Sequence, residues 1–413
     1  MDKRTYPVIA LLVLALAVLA CSIPGGGGEP APTPNQVETI VAATMQALTP
    51  PVGTESTSTP ESEAPGLLPH PLFFLNNDSA GLAQVFRLGT DGKSLTQLTF
   101  EPVAVTGYDI SPVGGSVAYV ANNQLLLITA DGSGRRVLAD GGPVDPNNPF
   151  ITTLGSPAFS PDGQTIAYSN RGLILYSFST STSTTAYEEI LFDPTSGGYV
   201  PGKMFIPQKY SPDGTKILIT VAIPNSDGIS GSIYNIAADS ITPLSGGDGA
   251  RLCCGQQAWT ADGSALYVGI SSVGMFGSGL WRVDAASGNL TTLLPTEAGG
   301  GNFNLANDPY LAPDGQLYFF FATASSSDGF IDRGPLQMVR SGLDGVTGRT
   351  VLRPEIFGGL NDALWAPDAS FVIVVRATDP MDYEGGVIEL YYTDSAMGVI
   401  SMLPSGRQLK WGP

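Results

Sequence analysis

The chain has 413 residues, a formal net charge of −18, only 14% charged residues, and abundant Gly (51) and Pro (33). That balance excludes a phosphate-backbone binder, which needs a Lys/Arg stripe to release counterions, and beyond Arg4 the only adjacent bases are Arg135-Arg136. Short strands and tight turns suit this composition better than long helices, and a chain of this length that is 43% hydrophobic can bury a large core.

At the N-terminus, Lys3 and Arg4 precede an unbroken apolar run from Val8 to Leu19. The run is too short to cross a bilayer core as a stable helix but fits the apolar region of a secretory signal. It ends in Leu19-Ala20-Cys21, which resembles the bacterial lipobox. The resemblance implies that residues 1–20 form a lipoprotein signal peptide and that Cys21 is the acylated, palmitate-bearing mature terminus. Acyl chains on one Cys bury enough CH₂ groups to anchor a protein stably when there are two or more of them.

Residues 22–70 read as a flexible Pro/Thr/Gly-rich linker, opening with Gly25-Gly26-Gly27-Gly28, because such a composition buries too little apolar surface to fold. Within it Val37, Ile40, Val41, Thr44, Met45 and Leu48 keep helical spacing, so a short helix over 36–48 is expected, marginal by itself.

From residue 71 onward the chain repeats. The marks are Asp109-Ile-Ser-Pro-Val-Gly, Ala158-Phe-Ser-Pro-Asp-Gly, Lys209-Tyr-Ser-Pro-Asp-Gly, Ala258-Trp-Thr-Ala-Asp-Gly, Tyr310-Leu-Ala-Pro-Asp-Gly, Leu364-Trp-Ala-Pro-Asp-Ala and the terminal Lys410-Trp-Gly-Pro. Pro presets φ, Asp caps its own backbone and Gly takes φ > 0, so each mark is a tight turn. A large apolar residue stands at the same place in every copy: Ile110, Phe159, Tyr210, Trp259, Leu311, Trp365 and Trp411. Each turn is followed by strand-like runs whose last member ends near Leu98, Leu138, Leu191, Leu244, Leu294, Leu352 or Leu403. Recurrence at a period of about 50 residues predicts four-stranded meanders arranged as a propeller.

The motif resembles the WD40-like (PD40) repeat of the TolB-like propeller family, with departures at Val113-Gly114, Ala261 and Ala369. The resemblance covers residues 71–413 and implies an all-β fold; the six blades and extra domain of TolB itself do not carry over. The first unit has strands B, C and D but no A motif, whereas the C-terminus supplies only an A motif around Leu409-Lys410-Trp411. The expectation is therefore a seven-bladed β-propeller over 71–413, closed by a composite blade that leaves no free sheet edge.

Strand order puts the Pro-Asp-Gly turns on one face and long loops on the other: Asp140–Ser156, Asp193–Gln208, Ser245–Gln257, Pro295–Asp308, Ala322–Gly334 and Ala377–Gly386. Variable loops on a rigid scaffold make that face the candidate binding surface. The loop aromatics Tyr199, Phe276, Phe303, Phe330 and Tyr383 are the candidate partner-binding residues, weighed against simple loop packing. Adjacent Cys253 and Cys254 suggest a vicinal disulfide or a thiol pair acting as a loop stiffener. Asp379, Asp382 and Glu384 in one loop, with Asp328 and Asp332 in another, are weak Ca²⁺ candidates, since hard oxygen ligands are present but EF-hand spacing is not. Solvated loop acids are the plainer account.

A catalytic reading finds little support. The single histidine, His70, sits at the end of the linker, so a Ser-His-Asp triad inside the propeller is impossible. Oligogalacturonate lyases resemble this repeat class but use a His-rich metal site that this chain cannot supply. The expected function is a non-enzymatic binding module, membrane-anchored and extracytoplasmic, recognising a protein or envelope component and no nucleic acid, with no resident cofactor. The alternatives are a glycan-active enzyme using paired loop carboxylates and a small-molecule or Ca²⁺ sensor at the channel mouth.

Overall fold

The computed structural model describes residues 66–146, 149–155, 157–193, 198–224, 229–245, 252, 256–273, 277–325 and 333–413. The signal segment, Cys21 and the 36–48 segment lie outside them.

The described residues are built from antiparallel meanders, each strand paired with the next in sequence. One four-stranded sheet comprises Gly107–Ile110, Val117–Ala121, Gln124–Ile128 and Arg136–Asp140. Three more follow. The first runs from Ala158–Phe159 to Thr182–Tyr187, the second from Met204–Tyr210 to Ser240–Pro243, and the third from Gln256–Trp259 to Leu290–Leu294. A five-stranded sheet adds Glu297–Gly299 ahead of Asn302–Leu311, Leu317–Ser325, Gln337–Ser341 and Thr350–Val351. The largest sheet has seven strands, in the order Leu360–Trp365, Phe371–Arg376, Gly386–Tyr392, Ile400–Trp411, Leu72–Asn77, Ala83–Leu88 and Leu95–Gln97.

That seven-stranded sheet brings the chain's last strand beside the first strand of the repeats. The N-terminal half of Ile400–Trp411 pairs with Gly386–Tyr392 (Leu390 opposite Ile400, Ile388 opposite Leu403). Its C-terminal half pairs with Leu72–Asn77 (Leu72 opposite Trp411, Phe73 opposite Lys410). One strand thus serves as the outer strand of one meander and the first strand of the next. Gly406 sits at the changeover, where a Cβ would come within 2.6 Å of Ile388 Cδ1 and 2.9 Å of Phe74 Cδ2. The close approach of the two sheets is what requires glycine there.

The Ser/Thr-x-Asp-Gly turns work through their side chains. The hydroxyls of Ser160, Ser211 and Thr260 each donate to the aspartate two residues on, at 2.6 Å. Those hydroxyls accept the amides of Thr165, Lys216 and Ala265 in turn. The glycines that follow have φ of 68°, 71° and 66°, the left-handed region that glycine enters freely. The departures keep the geometry by other means. Ser111 donates to the Val113 carbonyl, and Ala369 adopts φ 58° in glycine's place.

The large apolar residue at each mark is where successive sheets meet. Ile110, Phe159, Tyr210, Trp259 and Trp365 are buried, while Leu311 and Trp411 are half-buried. Trp365 stands against Tyr318 and Phe320 of the preceding sheet, both at 5.7 Å between ring centres, and its indole N–H donates to the Asp308 carbonyl at 2.8 Å. Side-chain carboxylates also tie the units together. Asp109 Oδ2 accepts the Phe159 amide at 2.6 Å, and Asp362 Oδ2 accepts the Leu409 amide at 2.7 Å. Lys410 pairs with Asp109 Oδ1 at 2.6 Å, and Tyr108 donates to the Gln408 carbonyl.

Three expectations are corrected. Leu191 belongs to a separate hairpin, Ile190–Asp193 with Gly198–Pro201, and the outer strand of that unit is Thr182–Tyr187. The stretch read as a loop over Pro295–Asp308 is largely strand, because Asn302–Leu311 starts well upstream of its turn, and its partner strand continues to Ser325. A short helix, Pro149–Thr152, lies within the expected loop Asp140–Ser156. In each case strand pairing or a local turn satisfies backbone groups that a bare loop would leave to water.

Candidate functional site

The loops that enter the first strands, and those between second and third strands, gather on one side of the sheets. Two features are built there. The first is a cleft of about 320 Å³ between neighbouring units, lined by Pro149, Leu154, Asn170, Arg171, Met204 and Phe205 among others, and mainly apolar. Asn170 and Arg171 make the turn between two strands, Arg171 at φ 60°, and the Asn170 Oδ1 atom is buried without a hydrogen-bond partner.

The second feature is the loop between Phe371–Arg376 and Gly386–Tyr392. Its backbone is held from outside by Arg333, whose guanidinium donates to the carbonyls of Pro380 and Asp382 and to Asn361 Oδ1. Asn361 in turn donates to the Asp382 and Gly385 carbonyls at 2.9 and 2.6 Å. The Arg333 guanidinium also lies 4.1 Å from the centre of the Tyr383 ring, a cation–π contact. Fixed in this way, the loop holds Met381 77% exposed and Tyr383 55% exposed.

The expected site residues fare differently. Tyr383 is on the exposed rim. Phe303 is half-buried within strand Asn302–Leu311, opposite Glu297 and Ala324, so it is a sheet residue and not a loop aromatic. Tyr199 lies in the strand Gly198–Pro201, opposite Phe192. Cys253, Cys254, Phe276 and Phe330 lie outside the described residues, as do Asp328 and Asp332.

The acidic loop residues are engaged in their own turn. Asp379 Oδ1 accepts the Met381 amide, and Asp382 Oδ1 accepts the amides of Glu384 and Gly385. Glu384 is exposed, 3.9 Å from Arg407. Among the described residues no group of three His, Cys, Asp or Glu side chains is placed to hold a metal ion. Arg333 and Asn361 carried no motif that sequence could have flagged, since each acts through backbone carbonyls brought close only by folding.

No family model and no curated protein matches the chain. Solved structures do. An oligogalacturonate lyase in complex with manganese aligns over 83% of this chain and 86% of its own, with a TM-score of 0.51 at 12% identity. A prolyl endopeptidase aligns over 84% of this chain with a TM-score of 0.51 at 14% identity, and the chain spans 50% of that protein's length. TolB from Acinetobacter baumannii aligns over 83% of this chain and 80% of its own, with a TM-score of 0.39 at 12% identity. These similar structures are β-propellers. With its four-stranded antiparallel meanders the chain is an all-β protein of the β-propeller class, as its TolB-like repeats imply.

Proposed function

We propose that this protein is a lipid-anchored, extracytoplasmic β-propeller of seven blades that binds a protein or envelope component through its long-loop rim, without catalysis. The observation that carries the binding reading is the Arg333-clamped loop. A loop whose backbone is pinned from outside by four side-chain hydrogen bonds and steadied by a cation–π contact loses little conformational entropy on binding. It keeps a methionine and a tyrosine in water, residue types enriched in recognition surfaces.

Seven blades are supported by the pairing of the termini. Counting the shared strand twice, the meanders divide into seven units, six of four strands and one that carries Glu297–Gly299 as a fifth. Their first strands touch in sequence: Ile400–Trp411 touches Gly107–Ile110, which touches Ala158–Phe159, which touches Met204–Tyr210. On the other side Gln256–Trp259 touches Asn302–Leu311, which touches Leu360–Trp365, which returns to Ile400–Trp411. Pairing the last strand with Leu72–Asn77 leaves neither of those two strands as a free edge to recruit other chains.

The rim is tested with a photo-crosslinking amino acid at position 383 and, as a control, at Val113 in a turn of the opposite face. A discrete adduct from native envelopes is expected at 383 and not at 113. A Met381→Ala/Tyr383→Ala double variant is expected to weaken binding of that species at least about tenfold. Equal labelling from both positions would sink the reading.

Anchoring is tested separately. Cys21→Ala is expected to abolish acylation, seen as loss of the lipid mass by mass spectrometry, and to move the protein from the membrane pellet to the soluble fraction. Membrane retention of that variant without acyl mass would mean that another segment anchors the chain.

A further inference from the structure

The apolar cleft beside Met204–Tyr210 lies where a side-chain staple of the preceding unit has no counterpart. Between Val117–Ala121 and Gln124–Ile128, the turn residue Asn123 ties down the segment that enters the next unit. Its amide donates to the carbonyls of Gly142 and Thr152 at 2.8 and 3.0 Å, and its Oδ1 accepts the Leu154 amide at 2.7 Å. Counted from the turn serines Ser111 and Ser160, the same place in the following unit is Gly172, which has no side chain to reach across. A Cβ there would come within 2.7 Å of the Tyr187 carbonyl oxygen, so only glycine fits. The chain then departs into the hairpin Ile190–Asp193 with Gly198–Pro201 before it enters Met204–Tyr210.

What remains is the cleft of about 320 Å³, walled by Leu154, Met204, Phe205 and Ile206. Its walls are fixed from both sides. Leu154 is buried in the apolar cluster of one flanking unit pair and Phe205 in that of the next, so the space is formed before anything enters it. The polar groups of the cleft gather at the turn Asn170–Arg171. Asn170 Oδ1 is buried without a hydrogen-bond partner, and Arg171 forms no ion pair or side-chain hydrogen bond among the described residues. Arg171 is exposed and is the only charged residue among those lining the cleft. The acids nearby do not neutralise it. Glu188, beside Gly172, is exposed and forms no ion pair with it, and Glu189 is paired with Lys203 at 2.7 Å.

These features define the ligand chemistry. An apolar body is favoured between apolar walls because entry removes its surface from water. An unpaired guanidinium beside those walls matches a carboxylate, whose two oxygens fit its fork of N–H donors. One cation balances a monoanion, whereas a phosphate monoester carries close to two charges and would leave one unmatched. The amide of Asn170 brings further N–H donors to the same turn. A cationic ligand would be repelled by Arg171, and a neutral one would leave it unused.

We propose that this cleft binds a small apolar monocarboxylate, its body between Leu154 and Phe205 and its carboxylate on Arg171. The site uses nothing of the loop held by Arg333, so the two readings stand or fall separately. The full chain is titrated calorimetrically with phenylacetate at constant ionic strength, with phenethyl alcohol and phenethylamine as the neutral and cationic arms. Expected is saturable one-site binding of phenylacetate, at least about tenfold tighter than that of either analogue. Asparagine tolerates the left-handed φ of 60° at position 171, so Arg171→Asn is expected to fold. It is expected to bind phenylacetate at least about tenfold more weakly than the parent while leaving the alcohol unchanged. Met204→Trp narrows the cleft and is expected to weaken acid and alcohol alike by at least about tenfold. Lys93→Gln, at an exposed base in the turn before Leu95–Gln97, controls for net charge and is expected to change neither. N-acetyl-phenylalanine separates the sources, since its binding admits the C-terminal residue of a polypeptide and its exclusion restricts the site to small free acids. No saturable binding of phenylacetate, or binding unchanged in Arg171→Asn, overturns the proposal. Alcohol or amine bound as tightly as the acid overturns the ligand class.

Discussion

Removing Arg407–Pro413 is expected to lower the stability of the repeat domain by on the order of 5 kcal/mol and its melting midpoint by on the order of 10 °C. The segment is seven residues from the terminus, but it is a shared structural element. Leu409 is buried against Leu72 and Phe371 in the cluster that joins the two ends of the repeats. Burying such a leucine contributes about 2 kcal/mol. Deletion also removes the strand pairing with Leu72–Asn77, the Trp411 indole bond to the Trp365 carbonyl at 2.8 Å and the Leu409 amide bond to Asp362. Each hydrogen bond is worth about 1 kcal/mol. It leaves Asp109 without Lys410, and it exposes Leu72–Asn77 as a hydrophobic sheet edge, so association between copies is expected as well. Calorimetry and light scattering on the truncated chain check both. An unchanged midpoint would show that the terminal strand adds nothing and would remove the argument for ring closure.

The second large effect is one of pH. Asp362 carries a carboxyl pushed up to about 6 by burial, against the 3.8 of a free side chain, even with amide bonds and the charge of Lys410 pulling the other way. In the folded protein this group binds a proton more readily than in the unfolded chain. Stability from this residue is therefore greatest below pH 4, falls as pH rises from about 4 to about 6, and stays low above that. The difference is at most about 3 kcal/mol, and smaller to the extent that solvent reaches the half-buried carboxylate. Asp308, raised by its own burial and by Asp362, acts in the same direction, while Tyr108 stays neutral because burial, with Asp362 and Asp109 near it, raises its hydroxyl well above the ordinary value. Asp362→Asn is expected to be more stable than the parent at pH 7, with the gain shrinking to nothing near pH 4. Asparagine can still accept the Leu409 amide, so the bond between units survives. Denaturant unfolding of both proteins across that range is the measurement. A gain independent of pH would remove titration as its cause.

A cost of this kind at neutral pH is informative in itself. Natural cores seldom keep a buried carboxylate that is neither paired nor fully hydrogen-bonded. Asp308 combines an unpartnered buried oxygen with a left-handed backbone.

How much was legible in the sequence depended on the range of the interaction involved. The turns were, because Ser160, Asp162 and Gly163 satisfy one another within four residues, and the same local chemistry recurs at Ser211 and Thr260. The buried place of Trp259 and Trp365 was legible too, because a large apolar residue recurs at a fixed offset from each turn. Leu191 misled, since a strand-like run ending in leucine is equally compatible with a side hairpin. Phe303 misled because the extension of its strand is driven by pairing with Ala324, twenty-one residues further on, and not by anything near it in the chain.

By itself, then, the sequence determined the unit: a four-stranded meander, its turn and its apolar anchor. These follow from short-range sterics and hydrogen bonding, which leave periodic traces. Only the tertiary structure decided which side chains meet across units. Arg333 finds the carbonyls of Pro380 and Asp382 nearly fifty residues away, and Asp109 finds Lys410 at the opposite end of the chain. Contacts of that span leave no periodicity, because what selects each residue is the curvature that brings distant units face to face.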